Sequence, residues 1–468
     1  MQTRLLGRHR TRRPFGSLLL AGTALLLTTA CTGERRTPNL VLVSLDTTRS
    51  DHCSLYGYER PTTPELEQLA RSGTMVEIAY AASATTGPSH ATLFTGLYPP
   101  THGVRKNGAV LDEELSTLAE ILAATGFQTA GFIGSYVLHS QFGYGQGFEI
   151  YDDRFEKREI SGEGESWNFE FPFDRRADFT TDRALSWLRD GRRGKGPFFL
   201  FVHYFDPHAP YAPPKGFDGR FSRTEDAEGP ADRGETLQDV LDDYDEEILF
   251  TDTQMGRLLD SLDELEDDRE TVIVVTADHG EGLMDHGHLH HGIHLYEEAV
   301  RVPLVIRDPR VGSPGSRLTG PIHHVDLLPT ILDLLAVEPP KEELPGLVLT
   351  EPLDVGGFPN PARSIFLFRR HYDGTEPVAG IRVSGEGYGL RKGNWKYIQM
   401  PEEERRELYF LGEDPGETVN LAGKRPERVR QMSRALASWL EETERGSPAD
   451  LRIDPEDRRR LEALGYTN

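Results

Sequence analysis

Residues 81–99 read AASATTGPSHATLFTGLYP. A threonine, a glycine and a proline open an apolar run, the order expected where a buried helix begins. In that reading Thr86 or Gly87 caps the helix and Pro88 falls in its first turn, where a missing N–H costs little. The same geometry suits chemistry. A hydroxyl at a helix N-terminus lies at the positive end of the backbone dipole, and a nearby metal ion can ionise it. A glycine beside it lets a tetrahedral anion approach backbone N–H groups. Local sequence leaves cap and nucleophile open, so the decision rests on what the rest of the chain brings to Thr86.

Short β-branched or aromatic runs recur around this helix: NLVLVSL (39–45), FQTAGFI (127–133), PFFLFVHY (197–204), TVIVVTA (271–277) and VPLVIR (302–307). Helical periods lie between them. One covers 112–125, where Leu115, Leu118, Ile121 and Leu122 share a face and Gly126 is the stop. Another covers about 236–265, with Leu237, Leu241, Tyr244, Ile248, Met255 and Leu262 in phase. Buried strands alternating with helices predict an α/β fold, a mostly parallel sheet between helices, over residues 38–355. Residues 152–178 and 213–235 are polar and charged, and read as surface insertions near the substrate or as plain solvated loops. Past residue 360, RSIFLFR, GIRVS, GYGLRKGNWKYIQM and RELYFL follow quickly with turn signals between them. They predict a small antiparallel sheet in a C-terminal α+β subdomain (356–445), with a helix from Pro426 facing Val429, Met432, Leu436 and Trp439 inward. A charged tail (446–468) carries Leu461, Leu464 and Tyr466 as docking residues.

The 468 residues carry a formal charge of -24, which excludes a broad nucleic-acid surface. An anionic substrate then needs a local device such as a metal ion. At the N-terminus, Arg4, Arg8, Arg10, Arg12 and Arg13 precede PFGSLLLAGTALLLTTA and then Cys31. Small residues before a lone Cys resemble a bacterial lipoprotein export signal over 1–30, with Cys31 lipidated and 31–37 as linker. An uncleaved anchor is the alternative. TRRPF also resembles a twin-arginine signal. The expectation is an exported protein of the cell envelope, lipid-anchored on the periplasmic or outer surface. With Cys31 acylated, Cys53 has no disulfide partner in the chain.

In an open parallel sheet, ligands bind beyond the carboxyl ends of the strands. The first strand ends in Asp46. The strand at 197–204 runs into HYFDPHAPY, which supplies His203, Asp206 and His208, and that at 271–277 runs into DHGEG, which supplies Asp278 and His279. Carboxylate and imidazole delivered to one edge suit a divalent cation; the imidazole favours Zn²⁺ or Mn²⁺, with Ca²⁺ the harder alternative.

PNLVLVSLDTTRSDHCSLYGY, TTGPSHATLFTGLYPPTHGV, VIVVTADHGEGLMDHG, LYEEAVRVPLVIR, HHVDLLPTILDLL and ELYFLGEDPGETVNLA resemble, in this order, the sulfatase family of the alkaline phosphatase superfamily, from about residue 38 to 440. The resemblance implies an alkaline-phosphatase-like core, a C-terminal subdomain and a metal-dependent ester hydrolase. The departures are informative. Sulfatases carry Cys or Ser in C-x-P-S-R, oxidised to formylglycine, whereas this chain reads Thr86-Gly87-Pro88-Ser89-His90. Threonine cannot give that aldehyde, because its β-carbon bears a methyl and oxidation would yield a ketone. His90 stands where sulfatases use an arginine. Phosphodiesterase and phosphoethanolamine-transferase branches of the superfamily use a threonine nucleophile. Similarity to them implies that Asp46, Thr86, Asp278 and His279 bind one metal. It also implies that His208 and His291 lie around a second metal or the phosphoryl oxygens, and that Asn107 holds a nonbridging oxygen. His286, His288, His290 and His294 of HGHLHHGIH stay unassigned, and Arg49, Asp51 and Asp326 are explained by buried pairing and helix capping.

These readings predict a metal-dependent hydrolase of phosphate or sulfate esters with Thr86 as covalent nucleophile. Its substrate is an anionic ester of a sugar, lipid or small molecule. Phosphodiesters or phosphonate esters are favoured, since a formylglycine hydrate can expel sulfate by C–O cleavage and a threonine sulfate cannot. The alternatives are a sulfatase without formylglycine, a phosphoethanolamine-type transferase, and a non-catalytic binding protein on the same fold.

Overall fold

Nine strands pair into one sheet among the described residues: β1 (Asn39–Leu45), β2 (Thr74–Tyr80), β3 (Gln128–Phe132), β4 (Ile150–Asp152), β5 (Phe198–Tyr204), β6 (Thr271–Ala277), β7 (Arg301–Val302), β8 (Leu304–Arg307) and β9 (Ser316–His323). The computed structural model describes residues 36–155, 174–194, 196–221, 236–265, 267–355, 362–374 and 381–443. The expected export signal with Cys31, most of its linker, and the charged tail lie outside the described residues, as does much of both insertions.

Strands β4, β3, β5, β1 and β6 lie side by side and parallel. Next comes β8, antiparallel to both β6 and β2, and β2 then pairs in parallel with β9. Strands β1 and β5 are buried at every position, as a central parallel strand covered on both faces must be. Register fixes the site. Leu45 of β1 lies opposite Tyr204 of β5 and Ala277 of β6, so the residues that follow, Asp46, Phe205 and Asp278, leave the sheet at one level.

All ten residues of the helix Thr86–Thr95 are buried, so every polar side chain in it needs a partner. Ser89 donates to the Asp278 carbonyl (2.6 Å), Thr95 to that of Ala91 (2.6 Å), and Thr92 pairs with His102 (3.1 Å). Gly96, at φ 69°, ends the helix in the left-handed conformation a C-terminal glycine allows. The long helix Leu237–Asp263 begins at a Thr236–Asp239 capping box and buries Tyr244, Ile248, Met255, Leu258 and Leu262, while Leu237 stays exposed.

The helix expected from residue 112 starts at Leu118, because Thr117 and Glu120 form a capping box there. Strands β2, β4 and β9 add to the predicted set. The second sheet is antiparallel, in the order β10 (Ser364–Arg369), β11 (Gly387–Lys392), β12 (Trp395–Met400) and β13 (Arg405–Phe410). GIRVS, expected in it, contributes no strand among its described residues. The helix Pro426–Thr443 covers this sheet with Met432, Leu436 and Trp439, the last stacked on Phe366 at 4.6 Å. Phe368 of β10 donates its N–H to the Ala82 carbonyl (2.9 Å), which ties the second sheet to the segment leading into Thr86. Among the described residues no helix is long and apolar enough to cross a membrane.

Candidate active site

Asp46, Thr86, Asp278 and His279 meet at the carboxyl edge of β1 and β6, all four without solvent exposure. Asp278 Oδ1 accepts the N–H groups of His279 (2.8 Å) and Thr47 (3.3 Å). Both Asp46 oxygens and Asp278 Oδ2 have no hydrogen-bond partner among the described residues. Thr47 holds a φ of 49°, a left-handed conformation that a β-branched residue rarely adopts. Strain of that kind costs about 1–3 kcal/mol and persists where surrounding contacts hold it. Here Tyr244 donates to the Thr47 carbonyl (2.7 Å) and accepts from the Arg49 N–H (3.0 Å), clamping the turn that aims Thr47 N–H at Asp278.

The partner of each ring nitrogen assigns the imidazole tautomers. His279 donates from Nδ1 to the Gly280 carbonyl (2.9 Å), so in the neutral ring Nε2 carries the lone pair. That lone pair faces Thr86 Oγ1 at 3.2 Å, Asp278 Oδ2 at 3.4 Å and Asp46 Oδ1 at 3.8 Å. Thr86 is the first residue of its helix, Thr85 is the N-cap, and no side chain caps it. The Thr86 hydroxyl bonds to an imidazole instead.

Burial pushes the Asp46 carboxyl up to about 7. Burial, then the Asp46 charge, also raises Asp278. For His279 burial works downward, but the two carboxylates outweigh it and leave the imidazole raised. Two buried like charges with three unpaired oxygens are costly unless a cation neutralises them. These two carboxylates, the Nε2 lone pair and the Thr86 hydroxyl fit a divalent cation by chemistry and by reach.

Around this centre, Asn107 Oδ1 accepts the Gly87 N–H at 2.7 Å. That bond fixes the amide orientation and leaves Nδ2, buried and without a partner among the described residues, as a donor. A side chain on residue 87 would meet Asn107 Oδ1 at 2.9 Å and the Tyr144 hydroxyl at 3.0 Å. The reading of Gly87 as an opening for an anion is therefore corrected: its N–H is spent on Asn107, and its missing side chain makes room for Asn107 and Tyr144. His291 lies tilted against His279 at 4.4 Å between ring centres, and His208 meets His291 edge-on at 5.0 Å. Phe205 stacks under His208 at 4.5 Å. His208 donates from Nδ1 to the Ala209 carbonyl (2.7 Å), and His291 from Nδ1 to Glu281 Oε1 (3.3 Å). Burial, then the neighbouring imidazole, lowers His208 to about 3 and holds His291 well below its usual range.

Other candidates are placed elsewhere. Asp206 accepts the Ala177 N–H (2.7 Å) at the start of the helix Ala177–Ser186. Arg49 pairs with Asp51 and Asp285, both at 2.7 Å, and Asp326 binds Arg363 and the Leu347 N–H. His286 pairs with Glu298 (2.6 Å) and stacks on Tyr296. Sequence reasoning passed over Thr47, Tyr144 and Glu281. Only Glu281 left a signal, as a carboxylate two positions past His279 in DHGEG.

The family model described as Sulfatase matches residues 38–337. The chain belongs to the sulfatase family. It is thereby an ester hydrolase of the alkaline phosphatase superfamily, a family typically dependent on a metal ion. A second model, the C-terminal region of N-sulphoglucosamine sulphohydrolase, matches 285–445. An N-acetylglucosamine-6-O-sulfatase of Bacteroides thetaiotaomicron is 25% identical, over 92% of this chain and 91% of its own. The multifunctional alkaline phosphatase superfamily protein PehA of Trinickia caryophylli is 26% identical, over 86% and 95%. Among solved structures, the phosphonate monoester hydrolase of Agrobacterium radiobacter superimposes with a TM-score of 0.70, at 22% identity, over 90% of this chain and 98% of that one. This likeness confirms the alkaline-phosphatase-like α/β fold.

Proposed function

We propose that this sulfatase-family protein hydrolyses phosphorus esters, phosphodiesters or phosphonate esters before monoesters, with Thr86 as a covalent nucleophile and a divalent cation as cofactor. The observation that carries the reading is the Thr86 hydroxyl, 3.2 Å from the His279 lone pair and beside two uncompensated carboxylates. Asp46, Asp278, His279 and Thr86 would hold the cation, which would supply positive charge at the reacting oxygens and favour the ionised hydroxyl.

Thr86 Oγ1 attacks phosphorus as the bond to the leaving alcohol oxygen breaks. Asn107 Nδ2 donates to a nonbridging oxygen, where negative charge builds up. As the Thr86 hydroxyl ionises, its proton passes to Nε2 of His208 or His291, which gives it to the leaving oxygen and later moves a proton from the incoming water to Thr86 Oγ1. Burial keeps both neutral, and a bound ester anion acts in the opposite direction, raising their proton affinity. Water then cleaves the phosphothreonine and restores Thr86. Phosphorus stays open to that second attack, whereas a threonine sulfate lacks the C–O cleavage route of a formylglycine hydrate.

A second reading, hydrolysis of sugar sulfate esters by the same threonine, is supported by the match of residues 285–445 to a sulphohydrolase C-terminal region and by the N-acetylglucosamine-6-O-sulfatase relative. An activity panel decides between them: an aryl sulfate, a phosphate monoester, a phosphodiester and a phosphonate ester, each with Zn²⁺, Mn²⁺ and Ca²⁺. Turnover highest on the diester or phosphonate supports the first reading. Turnover confined to the sulfate replaces it with the second.

A further inference from the structure

Two groups of side chains lie close enough to share a cation: Asp46, Asp278 and His279, and a neighbouring set of His90, His203 and Asp278. The hydrogen bonds around the imidazoles separate them. His90 lies with Nδ1 2.8 Å from the Thr86 carbonyl, which can only accept, so that nitrogen carries a proton. Its Nε2 takes the Ser44 hydroxyl at 2.9 Å. Neither nitrogen of His90 is left to ligate.

His203 shows the reverse arrangement from His279. The Gly134 N–H donates to His203 Nδ1 at 3.3 Å, so Nδ1 holds the lone pair and the proton is on Nε2. That Nε2 is fully buried and makes no hydrogen bond among the described residues, and it faces Asp46 Oδ2 at 3.4 Å. A protonated nitrogen cannot bind a cation. It can hold the carboxylate that does, in the way outer partners orient metal-binding groups.

We propose that His203 is a positioning residue: its Nε2–H orients Asp46 for the cation, and the His90, His203 and Asp278 set is not a second metal site. The inference rests on the cation-dependent reading above and names the residue that sets its affinity. His90 contributes from the other side, edge-on to the His203 ring at 4.9 Å between centres. The Gly134 amide is the device that selects the tautomer, since a proton on His203 Nδ1 would confront the Gly134 N–H.

The test uses the purified full chain, stripped of metal and titrated with Zn²⁺ or Mn²⁺ against a chromophoric chelator. His203→Asn keeps an acceptor near Gly134 but loses the donor toward Asp46, and is expected to weaken cation binding about 10–100-fold. His203→Gln returns an N–H near the Nε2 position and is expected to restore most of that loss. Thermal unfolding of the metal-free proteins should differ little between the two variants. Tight wild-type binding with an unchanged His203→Asn overturns the inference alone, as does equal loss in both variants. A wild-type protein that binds no divalent cation overturns the cation reading and the inference with it. A measurement on the unmutated protein guards against a folding defect: nitrogen NMR of labelled, metal-loaded protein should find His203 protonated on Nε2, and a metal-bound or Nδ1-protonated ring overturns the assignment.

Discussion

Gly87 and Asn107 hold one another in place: the Gly87 N–H donates to Asn107 Oδ1 at 2.7 Å, and a side chain on residue 87 would come within 2.9 Å of that same oxygen. The pairing leaves Asn107 Nδ2 a buried donor without a partner among the described residues, on the side chain that holds the residue after Thr86. Asn107→Ala should therefore lower kcat by about 10²–10³-fold, the scale of removing one donor to a developing oxyanion. Gly87→Ala should produce a similar loss by displacing Asn107 and Tyr144, with a stability cost of about 1–3 kcal/mol from overpacking. Steady-state kinetics and thermal unfolding check both. An Asn107→Ala enzyme with wild-type kcat would remove Asn107 from the mechanism.

The cation prediction follows from Asp46 and Asp278, whose three buried oxygens have no hydrogen-bond partner among the described residues and which lie within reach of one ion together with His279. Protein purified without chelator is expected to carry a stoichiometric divalent metal, Zn²⁺ or Mn²⁺ before Ca²⁺, because His279 offers a nitrogen ligand. Stripping it should lower the melting temperature and abolish turnover, and both should return on re-addition. Elemental analysis without metal, and no gain of activity on adding any, would favour a non-catalytic binding protein.

The parts of this site visible in the sequence are those delivered by strand ends. Asp46, Asp278 and His279 follow β1 and β6, and parallel pairing without a register shift brings them to one level. Asn107 and His291 came from resemblance, since nothing in their local sequence marks them, whereas His208 was offered by the HYFDPHAPY run after β5 and took only its role from resemblance. What the sequence hid depends on contacts across the fold. Tyr144 reaches the Gly87 carbonyl (2.8 Å), Glu281 takes its place through His291, and the Gly134 amide sets the His203 tautomer. No periodicity encodes which ring nitrogen a distant N–H will meet. The fold failed to read through at β9, where Gly320 and Pro321 break the strand pattern, and at residue 112, where helical spacing of leucines was weaker evidence than the Thr117–Glu120 cap.

Cys31 is expected to be the mature, acylated N-terminus, on the basic-apolar-small-Cys order of residues 4–31. Intact-mass analysis of membrane fractions should show the lipid additions. Cleavage elsewhere, or an unmodified Cys31, would return the segment to the uncleaved-anchor alternative.

Thr86 carries the sharpest expectation. Its hydroxyl bonds to His279 and the N-cap position belongs to Thr85, so a capping role predicts almost nothing for it. A lost cap would cost about 1 kcal/mol of stability and leave turnover nearly intact. A lost nucleophile behaves differently. Thr86→Ala removes the attacking oxygen and one oxygen near the cation, so kcat should fall by about 10⁴-fold or more, the scale seen when a covalent nucleophile is deleted. Thr86→Ser keeps the hydroxyl and should retain partial activity. Mass spectrometry of the peptide containing TTGPSHATLF should find unmodified threonine even beside a formylglycine-generating enzyme. During turnover of a slow diester, acid quenching should trap that threonine as its phosphate ester. Thr86→Ala turning over a diester at near wild-type rate would leave His279 and its carboxylates to activate water directly, and would end the covalent mechanism.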